Sequence, residues 1–516
     1  MSHIKSHIDF RSNVLAVPAQ LPPAVRKATA KFLGTRQAVV DSFGAGRWQA
    51  LRQAGHELRV HTINHLDHYL AQVEEQVTQA GGQVHWAREA QEANRIVLDI
   101  AKQHGVRRAV KAKSMATEEI GLNHALQDEG ISVLETDLGE FIIQLAGVGP
   151  SHIIVPAVHL TKEGIADLFR EKLGVDAPPD PITLAGIARE RLREEFLAAD
   201  MGISGANFLV AETGALVMVT NEGNGRMCTT LPPLHVAVVG IDKVVPDWES
   251  LTVLLKLLAR SATGQKLSAY TSFITGPRRA GAESGAESDA EGGPTEFHLV
   301  LLDNGRTKIL RDEKTRETLL CIRCGACLNV CPVYNHVGGH AYGWAYSGPI
   351  GAMINTQLLG VKAAGDLPFA SSLCGACNDI CPVKIPITEI LLHLRHRVVE
   401  GDVYEEAAAS PVLRAGAEAG ALTFGLPGLY ELGSQLLKVA QAPLRRGEWL
   451  PHLPPPANRW TIARPFPAFN AGFRDWWRNR TPQGRRRNLE RKLGIGALIL
   501  GATALLVWLI RQRKKG

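Results

Sequence analysis

Seven of the eight cysteines occur in two short runs whose spacing is that of metal ligands. The runs read Cys321-x2-Cys324-x2-Cys327-x3-Cys331-Pro332 and Cys374-x2-Cys377-x3-Cys381-Pro382. The first spacing, which ends in Cys-Pro, is typical of bacterial ferredoxins, where the fourth cysteine ligates the other of two iron–sulfur clusters. The pattern therefore predicts two iron–sulfur clusters and a role in electron transfer.

Crossed ligation assigns each cysteine of the two runs to a cluster. Cluster 1 is expected to be held by Cys321, Cys324, Cys327 and Cys381, and cluster 2 by Cys331, Cys374 and Cys377. A complete second run would begin with a cysteine where this chain has Ser371. The fourth ligand position of cluster 2 is therefore open to Ser371, water or a substrate group.

Zinc and disulfide bonds are the competing explanations of paired cysteines. A structural zinc site closes with four ligands, and seven thiols do not divide into such sets. Disulfide frameworks belong to small secreted domains, whereas this chain is long and begins without a secretory signal. Thiolate ligation instead favours a reducing, cytoplasmic location. Cys228 is isolated and is expected to be an inert core thiol.

The charge of the chain is unevenly distributed. The formal net charge is +6, yet residues 445–516 carry 16 Lys or Arg against 3 acidic residues. The rest of the chain is acidic, with 41 basic and 48 acidic residues. A basic tail on an acidic body needs a partner of its own, either anionic lipid or nucleic acid.

An apolar segment in this tail favours the lipid. Leu493–Ile510 reads LGIGALILGATALLVWLI, 18 residues without a charge, and basic residues precede and follow it. This length just suffices to span a bilayer core as a helix, and Trp476, Trp477 and Trp508 suit the interface. A buried helix of a soluble core is the alternative. We expect a C-terminal single-pass anchor that places the body at the cytoplasmic face of the cell membrane, and no nucleic acid partner.

Helix and strand patterns alternate from about residue 50 to 275, which predicts an α/β domain with a mainly parallel sheet. The predicted helices are 91–104, 137–145, 161–173, 181–199 and 251–258. The predicted strands are 109–112, 131–134, 152–155, 208–212, 215–220 and 236–240, of which 208–212 and 215–220 form a hairpin. Residues 279–294, rich in Gly, Ala, Ser and Glu, are expected to be a linker. Helices at 350–359 and after residue 387 indicate a mainly helical ferredoxin-type domain.

Five segments, in this order, resemble the lactate-utilisation iron–sulfur proteins of the LutB type. They are KSMATEEIGLNHAL, VLETDLGEFIIQLAG, PSHIIVPAVHLTKEGIADLF, FLVAETGALVMVTNEGNGR and EFHLVLLDNGRTKIL. The resemblance covers roughly residues 50–400 and includes the uneven cysteine runs. It implies a LUD domain, related in fold to the isomerase and CoA-transferase superfamily, followed by a ferredoxin-type domain with two [4Fe–4S] clusters. It further implies two partner subunits and the oxidation of L-lactate to pyruvate. The C-terminal apolar helix departs from the pattern.

The expected organisation is an N-terminal extension (1–49), a LUD domain (50–300), a ferredoxin-type domain (301–400), a C-terminal region (401–484) and the anchor (485–516). The LUD domain contains polar residues that are candidates to line a pocket: Lys113, Glu118, His152, Glu212, Asn221, Asn224, Arg226 and His235. Glu212 is a candidate nucleophile, since the resemblance to transferases implies a glutamate near a glycine turn. The sequence Glu212-Thr213-Gly214 is equally typical of a plain hairpin turn.

Three functions are compatible with these features. The first is an electron-transfer subunit of an L-lactate-oxidising complex, which delivers electrons to a quinone or another membrane acceptor. The second is an enzyme in which the LUD domain acts on an acyl or phosphorylated substrate and the clusters regulate it. The third is a binding module for partner subunits, in which the clusters are purely structural.

Overall fold

The computed structural model describes residues 7–18, 21–278, 293–455, 457–461, 465–470, 473–490 and 493. The chain forms two compact units that divide after Ala409. Most of the predicted linker, residues 279–292, lies outside the described residues.

The first unit begins with helices. Their bounds are α1 Phe10–Leu15, α2 Leu21–Phe43, α3 Ala45–Asn64 and α4 Leu66–Gln79. Gly44, with a positive φ of 93°, separates α2 from α3. Residues such as Val25, Val40 and Trp48 are buried along these helices, so this segment belongs to the hydrophobic core of the unit.

Strands and helices then alternate, as the sequence predicts. The elements are β1 Gln83–Ala87, α5 Ala90–Gln103, β2 Arg108–Lys111, α6 Met115–Ile120, α7 Leu122–Asp128, β3 Ser132–Glu135, α8 Leu138–Ala146, α9 Lys162–Leu173, α10 Pro181–Leu197, β4 Met201–Ser204, β5 Phe208–Val210, β6 Ala215–Thr220, α11 Asn224–Thr230, β7 Leu234–Gly240, β8 Val244–Val245, α12 Trp248–Ala262, β9 Tyr270–Ile274 and β10 Glu296–Leu302.

Six strands form one parallel sheet in the order β1-β10-β7-β4-β2-β3. Successive side chains of its central strands point to opposite faces of the sheet and pack into two separate hydrophobic cores. Val239 and Leu301 pack on one face with α4, α8 and α9, while Val238 and Val300 pack on the other with α5 and α7. This arrangement is expected when both faces of a parallel sheet are covered by helices.

The predicted hairpin belongs to a second sheet of order β8-β5-β6-β9. Strands β5 and β6 are antiparallel, and Val210 pairs with Ala215. Gly214 adopts a φ of +67° in the turn, a conformation that costs a glycine little. The prediction of a hairpin is therefore confirmed.

The predicted strand at 152–155 is wrong, because this segment is irregular. The backbone N–H groups of Ile154 and Val155 donate to Nδ1 of His152, at 3.0 and 3.3 Å. The carbonyl of Ser151 accepts from the Tyr334 hydroxyl at 2.7 Å. These bonds replace a strand ladder, so apolar alternation alone misled the prediction.

The chain continues into a helical module. Its helices are α13 Arg306–Leu310, α14 Ala326–Val330, α15 Tyr334–Val337, α16 Gly348–Leu359, α17 Val361–Ala364, α18 Ala376–Ile380 and α19 Ile387–Glu400. Helix α2 packs against α14, α15 and α12. The N-terminal helices thus bridge the sheet domain and the helical module. Of the predicted domain boundaries, 49/50 falls inside α3 and 300/301 falls inside β10.

The second unit begins at Ser410. Its elements are α20 Pro411–Gly425, α21 Pro427–Ala440, β11 Trp449–Leu450, α22 Asn458–Thr461, β12 Phe466–Pro467 and α23 Phe473–Asn479. Strands β11 and β12 pair antiparallel. Within the described ranges, no helix has both the length and the apolar character needed to cross a bilayer. The predicted apolar helix Leu493–Ile510 lies, apart from Leu493, outside the described residues.

Candidate iron–sulfur site

The two cysteine runs adopt the same local fold. In the first loop, Arg323 and Gly325 have φ values of +58° and +72°, and Leu373 and Gly375 at the equivalent positions of the second loop have +53° and +83°. A short helix follows each loop, α14 in the first and α18 in the second. Positive φ at a non-glycine residue is uncommon, so its repetition at matching positions indicates a shared functional conformation.

Ser371 takes the place of the first cysteine in the second loop. In the first loop, the backbone N–H of Arg323 donates to Sγ of Cys321 at 3.4 Å. In the second, the backbone N–H of Leu373 donates to Oγ of Ser371 at 3.1 Å. The Arg395 guanidinium donates a hydrogen bond to the carbonyl of Ser371 at 2.7 Å. The serine hydroxyl therefore stands where the first loop presents a thiol.

The thiols of the first run meet Cys381 of the second. Burial, together with Cys321, Cys324, Cys377 and Cys381, raises the pKa of Cys327 well above its usual value. Burial also raises the pKa of Cys381 to about 11, and Cys321 adds to this rise. Thiols influence one another in this way only when they lie close together. Cys381 therefore lies beside the first run, although it is distant in sequence.

The remaining thiols form a second neighbourhood. Burial, Cys331 and Cys374 raise the pKa of Cys377 to about 12. Cys331 and Cys377 are buried, whereas Cys374 is exposed. The structure thus brings together Cys331, Cys374 and Cys377, of which Cys374 is exposed while the other two are as buried as Cys324 and Cys381.

The backbone around the sulfurs fits thiolate ligands. N–H groups of Arg323, Tyr334 and Ile385 donate to the sulfurs of Cys321, Cys331 and Cys381 at 3.4, 3.5 and 3.4 Å. Hydrogen bonds to sulfur are among the factors that set the potential of an iron–sulfur cluster. Among the described residues, no group of three or more His, Cys, Asp or Glu side chains is arranged to hold a metal ion. A four-iron cluster is larger than one ion, so its ligand sulfurs stand farther apart.

Cationic side chains surround the first neighbourhood, and sequence reasoning missed them. The Arg52 guanidinium donates to the carbonyl of Cys381 at 2.9 and 2.7 Å, and Arg36 donates to that of Ile380 at 3.3 Å. Arg59 donates to the carbonyls of Leu319 and Leu320, next to Cys321. All three arginines lie on α2 or α3, residues 21–64. Their sequence signal is weak, because arginines on an amphipathic helix are usually solvated.

A buried ionic network connects the first loop to the sheet domain. Arg306 forms a bidentate pair with Glu119 at 2.9 Å and bonds Asp242 at 2.6 Å. Tyr346 donates to Glu119 at 2.8 Å, and Arg323 faces Asp242 at 3.5 Å. All four charged groups are nearly inaccessible to solvent. The first cysteine loop is therefore attached to the sheet domain by charges that compensate one another.

Two of the predicted pocket residues, Lys113 and Glu118, lie in a second polar cluster. It forms where β2 and β3 end, the edge at which parallel sheets usually bind ligands. Lys111 Nζ contacts Glu135 at 2.6 Å and Glu118 at 2.7 Å, while Lys113 Nζ faces Glu140 at 2.7 Å. These carboxylates line a cleft of about 850 Å³. Sequence reasoning missed Lys111, Glu135 and Glu140, since each resembles an ordinary surface charge.

His152 lies between that cluster and the first cysteine loop. Nε2 of His152 lies 3.1 Å from Oδ1 of Asn329. The ring also lies close to Gly325, because a Cβ atom added to this glycine would be 3.3 Å from Cε1 of His152. Burial lowers the pKa of His152 to about 4, and the charge of Lys113 contributes to this decrease. The imidazole is therefore neutral at pH 7 and packs against the loop between Cys324 and Cys327.

The other candidates of the LUD domain lie apart from this cluster or at the surface. Glu212 is exposed, and its carboxylate accepts the backbone N–H of Trp248 at 3.3 Å, at the start of α12. Asn221 and Arg226 are exposed. Asn224 donates to Thr136 at 3.4 Å, and His235 pairs with Ser204 at 2.7 Å. Glu212 thus has an evident structural role in capping a helix.

Cys228 is the buried thiol that the sequence predicts. Its sulfur lies 3.3 Å from the hydroxyl of Thr136, and burial raises its pKa to about 12. Such a thiol is a poor nucleophile and a poor ligand.

Two family models match the chain. The LUD domain matches residues 70–302, and the 4Fe-4S dicluster domain matches residues 317–385. A crystal structure of a DUF162 family protein from Deinococcus radiodurans covers 46% of this chain and 98% of that one at 13% identity. Its TM-score of 0.26 is too low to support an argument.

Named relatives match over most of their length. Lactate utilization protein B of Shouchella clausii (strain KSM-K16) is 46% identical over 441 residues, which cover 85% of this chain and 90% of the relative. The uncharacterized electron transport protein YkgF of Escherichia coli (strain K12) is 42% identical over 494 residues, which cover 94% of this chain and 100% of the relative. The protein from Oceanobacillus iheyensis with the same name as the first is 43% identical over 466 residues. With a LUD domain, a 4Fe-4S dicluster domain and these relatives, the chain belongs to the lactate utilization protein B family.

Proposed function

We propose that this protein is the electron-transfer subunit of a complex that oxidises L-lactate to pyruvate. The single observation that carries the proposal is the presence of two cysteine loops of the same conformation, with Cys381 of the second run beside Cys321 of the first. The names of the relatives supply the metabolic context, lactate utilization and electron transport.

Two [4Fe–4S] clusters, when bound, supply one-electron transfer between a donor and an acceptor. Cys321, Cys324, Cys327 and Cys381 would hold cluster 1, and Cys331, Cys374 and Cys377 would hold cluster 2. The proximity of Cys331 and Cys374 to Cys377, and of Cys321 to Cys381, supports this crossed division, while Cys327 also lies near Cys377. The fourth ligand of cluster 2 is Ser371, water or a substrate group, and the hydrogen bond from Leu373 to Ser371 favours the serine.

The proposed partners are two other lactate-utilisation subunits and a membrane acceptor such as a quinone. Thiolate ligation requires a reducing compartment, so the soluble part would face the cytoplasm. The uncharged segment Leu493–Ile510, with basic residues on both sides, would anchor the chain as a single-pass helix. Anionic headgroups would attract its flanks.

The test is an anaerobic purification with iron and sulfide analysis, followed by electron paramagnetic resonance (EPR) of the reduced protein. Lactate is then added with and without the partner subunits. We expect two cluster signals that develop with lactate only when the partners are present. Clusters that no physiological donor reduces would contradict electron transfer and support the structural role. Turnover by the isolated protein, abolished by Glu212→Gln, would support the LUD domain as an enzyme.

A further inference from the structure

Three tyrosines between the two cysteine runs are buried, but only two of their hydroxyl groups have an acceptor. Tyr334 donates to the carbonyl of Ser151 at 2.7 Å, and Tyr346 donates to Glu119 at 2.8 Å. The hydroxyl of Tyr342 is equally inaccessible to solvent, yet it has no hydrogen-bond partner among the described residues. Buried polar groups are nearly always hydrogen-bonded, so this exception requires an explanation.

Packing against α1 holds the Tyr342 side chain in place. Tyr342 is the last residue of a short 3₁₀ helix, His340–Tyr342. Nδ2 of Asn13 donates to the carbonyl of Ala341 at 3.2 Å and so attaches this turn to α1. The ring of Phe10 packs edge-on against the ring of Tyr342, with their centroids 5.4 Å apart. The position of the phenol is therefore fixed by contacts that do not involve its hydroxyl group.

The phenol of Tyr342 lies beside the thiols of the cysteine loops. The backbone N–H of Tyr334 donates to Sγ of Cys331 at 3.5 Å, and the ring centroids of Tyr334 and Tyr342 are 6.5 Å apart. Burial raises the pKa of Tyr342 well above its usual value, and this rise has further contributions from Cys331, Tyr334, Cys327 and Cys377. The hydroxyl group is therefore protonated at neutral pH and is available as a donor.

Cluster 2 is the acceptor that fits this position best. Of the three thiols that act on Tyr342, Cys331 and Cys377 belong to the set assigned to cluster 2, and only Cys327 belongs to that of cluster 1. A neutral thiol is a weak acceptor, whereas the sulfurs of an iron–sulfur cluster accept hydrogen bonds that help to set its potential. A hydroxyl group without an acceptor in the protein would thus gain one from the bound cluster.

We propose that the Tyr342 hydroxyl donates a hydrogen bond to a sulfur of cluster 2, either a sulfide or the thiolate of Cys331, and thereby raises the reduction potential of this cluster. A donor stabilises the reduced state more than the oxidised state, because the reduced cluster carries one more negative charge. The proposal rests on the clusters of the proposed function and deepens it, since it names a residue that sets the potential of one of them.

The experiment is a redox titration followed by EPR, with the full chain and both clusters, for the wild type and Tyr342→Phe. The substitution removes only the hydroxyl group and keeps the ring that packs on Phe10. At a fixed potential, we expect the ratio of reduced to oxidised cluster 2 to fall by about tenfold, which is about 59 mV for one electron. Cluster 1 should shift less. A potential of cluster 2 that does not fall, or a larger shift of cluster 1, would overturn the proposal.

Tyr334→Phe is the matched control. It also removes one buried hydroxyl group from a tyrosine near Cys331, but this hydroxyl donates to Ser151. The variant should lose stability against denaturant while the potential of cluster 2 stays the same. An equal fall in potential in both variants would show that the effect comes from disturbed packing, and the proposed hydrogen bond would be wrong.

A second replacement decides the matter if Tyr342→Phe assembles no clusters. Incorporation of 3-fluorotyrosine at position 342 keeps the hydroxyl group and makes it a stronger donor, because fluorine withdraws electrons from the ring. The potential of cluster 2 should then rise, opposite in sign to the effect of Tyr342→Phe. A potential that falls or stays the same contradicts the proposal.

The proposal and the proposed function can fail separately. If lactate reduces the clusters when partners are present, yet Tyr342→Phe leaves the potential of cluster 2 unchanged, the function stands and the hydrogen bond does not. If Tyr342→Phe lowers the potential but no physiological donor reduces the clusters, the hydrogen bond stands and the electron-transfer role fails.

Discussion

The first and second cysteine loops share a backbone conformation but differ in their surroundings. The first lies against α2, α3 and the sheet domain, and the buried Arg59 and Arg323 lie beside Cys321, whereas Arg52 binds the carbonyl of Cys381 in the second run. The second has Ser371 in place of a cysteine and an exposed Cys374. Because cluster potentials depend on net charge, hydrogen bonding and solvent exposure, the same loop fold should give two different redox sites. The first loop packs against His152, two residues after Pro150 of the cleft wall, and the exposed Cys374 makes the second loop suited to exchange electrons with a partner.

The largest expected effect is the loss of one cluster when its ligand is removed. Cys381→Ala and Cys321→Ala should abolish the same EPR signal, although the residues belong to different runs, whereas Cys374→Ala should affect the other signal. Cys228→Ala is the control and should keep both signals, because this thiol faces Thr136. If Cys381→Ala and Cys374→Ala removed one common signal, the crossed division would be wrong.

The network that holds the first loop should also matter for stability. Glu119→Gln leaves Arg306 without the full charge of its buried partner, so the free energy of unfolding should fall by about 3–5 kcal/mol. Glu313→Gln makes the same change at an acid that is 88% exposed, and we expect an effect within about 0.5 kcal/mol. Chemical denaturation of the two variants measures the difference. Equal effects would show that the network does not stabilise this attachment.

Substitution of Ser371 tests directly whether the two clusters differ in their fourth ligand. Ser371→Cys should complete a four-thiolate set and change the EPR signal of cluster 2, with cluster 1 unaffected. Ser371→Ala should lower the iron content, since no side chain then fills the fourth position. Ser372→Ala, one residue away, serves as the control. If Ser371→Ala keeps its iron and spectrum, water or another exogenous group is the fourth ligand.

The smallest expected effect is on the potential of cluster 1. Arg52→Met removes a positive charge that favours the reduced cluster, so the potential should fall by on the order of 50 mV, or ~1.2 kcal/mol, for an effective dielectric constant near 20. Arg47→Met, an exposed position of the same helix, should leave it unchanged. Redox titration followed by EPR measures both. An equal shift of cluster 2 would contradict the proposed local effect.

The sequence was informative where chemistry depends on local spacing. Cysteine spacing identified the two loops and predicted that Cys381 shares a cluster with Cys321; Cys321 contributes to the raised pKa of Cys381, and the shared ligation stays a prediction. Apolar periodicity likewise predicted the parallel sheet and the hairpin at Gly214. It failed at 152–155, where contacts with Asn329 and Tyr334 determine the backbone.

By itself, then, the sequence determined the ligand types, their spacing and the alternation of elements, because these follow from near neighbours along the chain. Only the tertiary structure decided which charges meet. Arg52 reaches Cys381 from 329 residues away, and Lys111 meets Glu135 across two strands. A solvated charge and a buried, compensated one look alike in sequence, since their difference lies in desolvation and in the partner that folding supplies. The redox environment of the clusters and the polar cleft beside them are therefore products of the fold.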